Sequence, residues 1–147
     1  MRYAEGTSVP VERSEAEIKR VLQRYGADKI GIMSETTKAT IYFGVKGRDV
    51  QLVIPLVRKG DPIPDKKGYA FTEQGADKEV RRRWRVMVLT LKAMLEAIDS
   101  KITTFDEVFL AHVVLPGTGR TIGDALVPKL PELYGGASLR ALLSENP

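Results

Sequence analysis

The chain has 147 residues, 43% hydrophobic and 29% charged, with no cysteine and a formal net charge of +4. That is the length of one domain able to bury its own core, and the missing thiols exclude disulfides, cysteine metal sites and thiol nucleophiles. No apolar run approaches the roughly 18 residues of a membrane span, and the first residues hold no apolar signal core, so a cytoplasmic protein without a membrane partner is expected.

Residues 3–13 read as extended, with Thr7, Val9 and Val11 alternating and Pro10 favouring a sheet edge. Ser14 and Glu17 have capping-box spacing, and the helix behind them repeats Ile18, Val21, Leu22 and Tyr25 before stopping at Gly26. Three strands follow at Lys29–Met33, Lys38–Val45 and Arg48–Leu56, joined by hairpin-sized links, which predicts an antiparallel meander. Arg58–Gly75 contains two prolines, three glycines and four basic residues, the composition of a long surface loop.

A long amphipathic helix is predicted over Asp77–Ser100. Thr104 to Glu107 reads as a second cap, opening a short helix to about Val114. A turn at Pro116–Gly119 and a short helix near Ile122–Lys129 complete the chain. The expected fold is α+β in a single domain. A three- to four-stranded antiparallel sheet packs on the long helix and the N-terminal helix (core 1–103), with a small helical, acidic segment over 104–147.

Charge is unevenly placed. Residues 1–92 sum to +7 and residues 93–147 to −3, which points to an anionic partner for the first part. The stretch Asp77–Lys92 alone holds six basic and two acidic residues. With Trp84 at zero and 100° per residue, Val80, Met87, Val88, Leu91, Leu95 and Ile98 fall within about 60° of it, so Trp84 is a core residue. Lys78, Arg81, Arg82, Arg85 and Lys92 lie together on one flank, roughly 60° to 160° round, while Arg83 is on the other. Glu96 is spaced to pair with Lys92.

Cations near a helix N-terminus oppose its dipole, so this ridge answers to something other than helix stability. A row of cations suits phosphates. Arg58, Lys59, Lys66 and Lys67 in the loop extend it, with Tyr69 and Phe71 as stacking groups for unpaired bases. Changing Arg81, Arg82 and Arg85 together to Glu is expected to abolish retention on single-stranded DNA with little change in melting temperature.

No catalytic constellation, cofactor motif or metal set is found. Gly117–Gly123 has the wrong spacing for a dinucleotide loop, and His112, the only histidine, is spaced with Phe105, Val108 and Phe109 on a buried face. No cofactor and no enzymatic activity are expected.

Tyr3–Thr7 with Val9–Glu12, Arg81–Arg85 with Leu91–Ile98, and Ile102–Phe105, Phe109–Pro116 and Gly119–Gly123 resemble a group of short proteins encoded by bacteriophages and prophages. The resemblance implies a phage origin, a host-cell location and a small accessory role. The order of three strands then a long helix is similar to the core of Rad52-like strand annealases. With the preceding helix, it is also similar to the αβββα order of double-stranded RNA-binding domains.

The expectation is a non-enzymatic accessory factor that binds single-stranded DNA in phage replication or recombination. The alternative is an inhibitor that binds a host defence or transcription protein. A head-to-tail contact between the basic helix and the acidic segment would give a homo-oligomer.

Overall fold

The computed structural model describes residues 8–144. Pro10, extended at ψ 151°, caps helix α1 (Val11–Tyr25), which starts three residues before Ser14. The expected capping box is therefore absent: Ser14 is in the first turn and a half, fully buried, because a proline with fixed φ starts the helix without a side-chain cap. The strand expected over residues 3–13 lies partly outside the described residues. Its described end, Ser8 to Arg13, is not a strand. Gly26, at φ 107°, closes α1 as expected.

Strands β1 (Lys29–Ser34), β2 (Lys38–Val45) and β3 (Arg48–Pro55) form an antiparallel sheet in the order β1-β2-β3. The β2–β3 link is the two residues Lys46 and Gly47, both with positive φ, the turn whose twist matches the strands. Register places Ile32, Ile41 and Leu52 in one row and Ile30, Phe43 and Val50 in another. These rows face the helices. Their central and β3 members are at most 4% exposed.

Helix α2 (Glu73–Asp99) begins four residues earlier than the hydrophobic pattern predicts. Thr72 is the reason, since its hydroxyl accepts from the Gly75 N–H at 3.0 Å and caps the first turn. Trp84, Val88, Leu91 and Leu95 are buried against the sheet. Glu17 of α1 meets Arg85 and Lys92, while Val21, Arg24 and Tyr25 lie beside Lys92, Leu95, Glu96 and Asp99. The two helices thus run side by side in the same direction.

The C-terminal segment closes the far end of the core. Helix α3 (Phe105–Phe109) has the expected Thr104 cap and inserts Phe109, whose ring meets Phe43 edge-on at 5.5 Å. Arg48 bonds both oxygens of Asp106, at 2.8 and 2.9 Å, and ties α3 to the start of β3. Val113 and Val114 then pair with the edge of β3, where the Val114 N–H donates to Asp49 O at 2.8 Å. Helices α4 (Ile122–Leu126), α5 (Leu130–Tyr134) and α6 (Leu139–Leu143) follow, each a little over one turn.

Candidate nucleic-acid interface

The arginine cluster at the front of α2 is largely occupied inside the molecule. Glu79 is buried in the second turn, where Arg82 bonds both its carboxylate oxygens (2.6 to 3.2 Å) and Arg83 donates to it at 3.1 Å. Arg83 also donates to Pro55 O at 2.8 Å, pinning α2 to the end of β3. A charge this deep needs its partners, so Arg82 and Arg83 are components of the fold.

Arg85 and Lys92 are tied to α1. The Glu17 carboxylate accepts from Arg85 Nη2 at 2.7 Å through one oxygen and from the Lys92 ammonium through the other. Those two charge-assisted bonds, Lys92 first, hold the Glu17 pKa down at about 2. The expected Lys92–Glu96 pair does not form. Lys92 reaches across to α1 instead, and Glu96 accepts from the Ser100 hydroxyl at 3.1 Å.

Because Glu17 points at α2, the flank of α1 that carries it borders the seam between the helices. The same flank carries Arg13, Arg20 and Arg24. With Ile18 at zero they fall within about 40° of one another, next to Glu17. Arg24 lines a groove with Lys92 and Asp99, which fixes the side. In the parallel register fixed by Glu17, Arg85 and Lys92 lie across from this row, and Glu96 and Asp99 lie across from its Arg24 end. Lys78 and Arg81 continue the α2 flank ahead of the first turn of α1. None of Arg13, Arg20, Arg24, Lys78 and Arg81 makes an ion pair with any described residue. The basic stretch of the α2 flank from Lys78 to Lys92 is roughly 20 Å long at 1.5 Å per residue, and the seam turns acidic beyond it at Glu96 and Asp99. Reasoning from the α2 ridge alone missed the α1 row, although the spacing of Arg13, Arg20 and Arg24 carried the signal.

Arg58 to Phe71, read from composition as an irregular loop, is an ordered hairpin. Gly60 N–H donates to Phe71 O and Phe71 N–H to Asp61 O, both at 2.9 Å, and Ile63 N–H donates to Tyr69 O at 3.0 Å. Its tip is Asp65-Lys66-Lys67-Gly68, with Asp65 and Gly68 at positive φ. Lys66 and Lys67 are exposed there, and Tyr69 is 69% exposed beside them. Arg58 and Lys59 are exposed at its base. Phe71 is half-buried, its ring over Gly75 in the first turn of α2, so the hairpin presents one open aromatic ring and not two.

The structure therefore brings together Lys78, Arg81 and the hairpin cations at one end of the helix pair. It sets Arg82 apart and holds Arg85 and Lys92 against an acid. Among the described residues, no cluster of three or more His, Asp or Glu could hold a metal ion, and no helix is long and apolar enough to cross a membrane. His112 is half-buried at the end of the short 3-10 turn Leu110–His112. Gly117 and Gly119 have positive φ in a tight turn, while Gly123 sits where a side chain would strike Ala111 O, so these glycines serve backbone geometry and close packing. No family model, no curated protein and no solved structure matches this chain.

Proposed function

We propose that the protein is a non-enzymatic accessory factor that binds single-stranded nucleic acid, DNA in the first instance, along the α1–α2 seam. The observation that carries this reading is the run of cations that make no ion pair among the described residues: Arg13, Arg20 and Arg24 along α1, and Lys78 and Arg81 at the front of the adjoining α2 flank. A basic stretch of about 20 Å spans five or six nucleotides at roughly 3.4 Å each. The hairpin, with Lys66 and Lys67 next to the open Tyr69 ring, adds a place for an unpaired base, which favours single strands over duplex. A role in phage replication or recombination is part of this proposal, the sequence resemblance implying a phage origin and an accessory role.

The test uses three cations that make no ion pair among the described residues. Arg13→Glu, Arg20→Glu and Arg81→Glu combined should lower affinity for a fluorescent 30-mer oligonucleotide at least tenfold in anisotropy titrations at about 0.1 M salt. The melting temperature should stay within about 2 °C, as expected for surface changes. Unaltered binding would remove the seam from consideration.

The alternative, a protein-binding inhibitor of a host component, has its own observation. The C-terminal segment exposes Val127, Leu130, Tyr134, Leu139 and Leu143, and Tyr134 is 89% exposed. Tyr134→Ser with Leu139→Ser should abolish biological effect in the host while leaving oligonucleotide binding intact if that reading holds.

A further inference from the structure

The sheet face turned away from the helices carries a cleft of about 460 Å³ that the seam does not touch. Its floor is the row Gly31, Tyr42 and Gln51, one residue from each strand. One wall is the turn from Val114 to Gly119. That turn is held firmly: Leu115 N–H donates to Arg120 O at 2.8 Å, and the Thr118 hydroxyl donates to Leu115 O at 2.8 Å while accepting from Arg120 N–H. The end of the cleft is closed by Lys29, whose ammonium lies 2.8 Å from Asp49.

Two glycines on this face are present for opposite reasons. A side chain at Gly44 would meet the Lys29 stem at 2.7 Å, so glycine there lets Lys29 lie flat across the strand to reach Asp49. At Gly31 a side chain would meet nothing within 4 Å, and the backbone is not left-handed. Glycine inside a strand weakens it relative to alanine, and neither packing nor φ demands it here. Its effect is to keep the cleft floor open beside the Tyr42 ring, which is 39% exposed.

The volume is that of a preformed small-ligand site, mostly apolar with a few polar groups. Lys29 and Asp49 pair with each other and, among the described residues, no other charged side chain lines the cleft, so the part of the ligand held there is uncharged. The sheet and the Tyr42 ring favour a flat ring, and the Gln51 amide supplies one donor and one acceptor to its edge. We propose that this cleft binds a nucleobase. The site lies on the opposite side of the sheet from the α1–α2 seam and stands independently of it.

The test is an amide NMR titration of the full chain with each of four nucleosides and with a short single-stranded oligonucleotide, repeated on Gly31→Val and Tyr42→Ala. Shifts at Gly31, Tyr42, Gln51 and Gly119 are expected in the wild type. They should weaken at least tenfold in apparent affinity in Gly31→Val, which should melt no lower than the wild type. Shifts from nucleosides identify a free ligand, and shifts from the oligonucleotide alone identify a base within a strand. Both support the site. No shift at these positions with any ligand, or shifts unchanged in Gly31→Val, would overturn it. The Arg13, Arg20, Arg81 triple variant separates the two sites, because it should keep the nucleoside response whatever happens at the seam.

Discussion

Glu17 accepts from Arg85 at 2.7 Å and, through its other oxygen, from Lys92, so one acid of α1 clamps two cations that lie two turns apart on α2. The clamp holds the two helices in parallel register over the sheet. It also decides which cations of the ridge are free to meet a ligand.

The clamp makes stability depend on pH in a defined window. The Glu17 pKa falls from 4.5 to about 2 on folding, so its stabilisation is complete above pH 4.5 and is lost as the pH falls through 2. The Glu17 side chain is 22% exposed, which trims the effect to on the order of 2 kcal/mol. Glu17→Gln should therefore melt about 4–8 °C below the wild type at pH 7, with the two curves converging near pH 2. A difference that stays constant across that range would show that the carboxylate charge is not what stabilises the pair.

Glu79 supports a larger effect. Its carboxylate is the partner of both Arg82 and Arg83, whose side chains are 19% and 22% exposed. Glu79→Gln removes the countercharge that Arg82 and Arg83 share in a largely buried site, which costs about 3 kcal/mol. Urea denaturation should show this as a large fall in midpoint, while Arg81→Glu, one residue from Arg82, should barely move it. The same geometry revises the expected effect of changing Arg81, Arg82 and Arg85 together: two of those three hold ion pairs, so the melting temperature will drop along with any binding.

The fold was legible wherever periodicity reports on burial. The three strands, the two hairpin links and the Trp84 stripe all follow from patterns that a buried face imposes on one element at a time. Partnerships between elements were not legible. The angular plot put Arg82 and Arg85 on a solvent flank, but nothing in it could say that Glu17 lies 68 residues away in sequence and 2.7 Å away in space. Likewise, proline and glycine content marked Arg58–Gly75 as a loop, whereas backbone bonds between its two arms made Arg58 to Phe71 a hairpin. Open space beside Gly31 is a property of the assembled sheet and has no sequence signature.

Ser14 is fully buried in α1, and its hydroxyl has no hydrogen-bond partner among the described residues. A buried hydroxyl left unsatisfied is unfavourable by about 1–3 kcal/mol, and serine is a poorer helix former than alanine. Ser14→Ala should therefore raise stability by roughly 1 kcal/mol, seen as a melting temperature about 2–4 °C higher. A decrease would mean that the hydroxyl has a partner in solution.

The clamp also predicts how binding responds to salt. If single-stranded nucleic acid lies in the seam, the Glu17 carboxylate holds two cations that would otherwise contact phosphates. Glu17→Gln releases Arg85 and Lys92, and each added phosphate contact steepens the slope of log affinity against log salt by about 0.7 for a single strand. The slope should thus become steeper by about 1.4, with tighter binding below 0.1 M salt, in the same variant that loses folding stability. Opposite signs for affinity and stability exclude a trivial effect of unfolding. An unchanged slope would place Arg85 and Lys92 outside the interface and confine binding to Arg13, Arg20, Lys78, Arg81 and the hairpin.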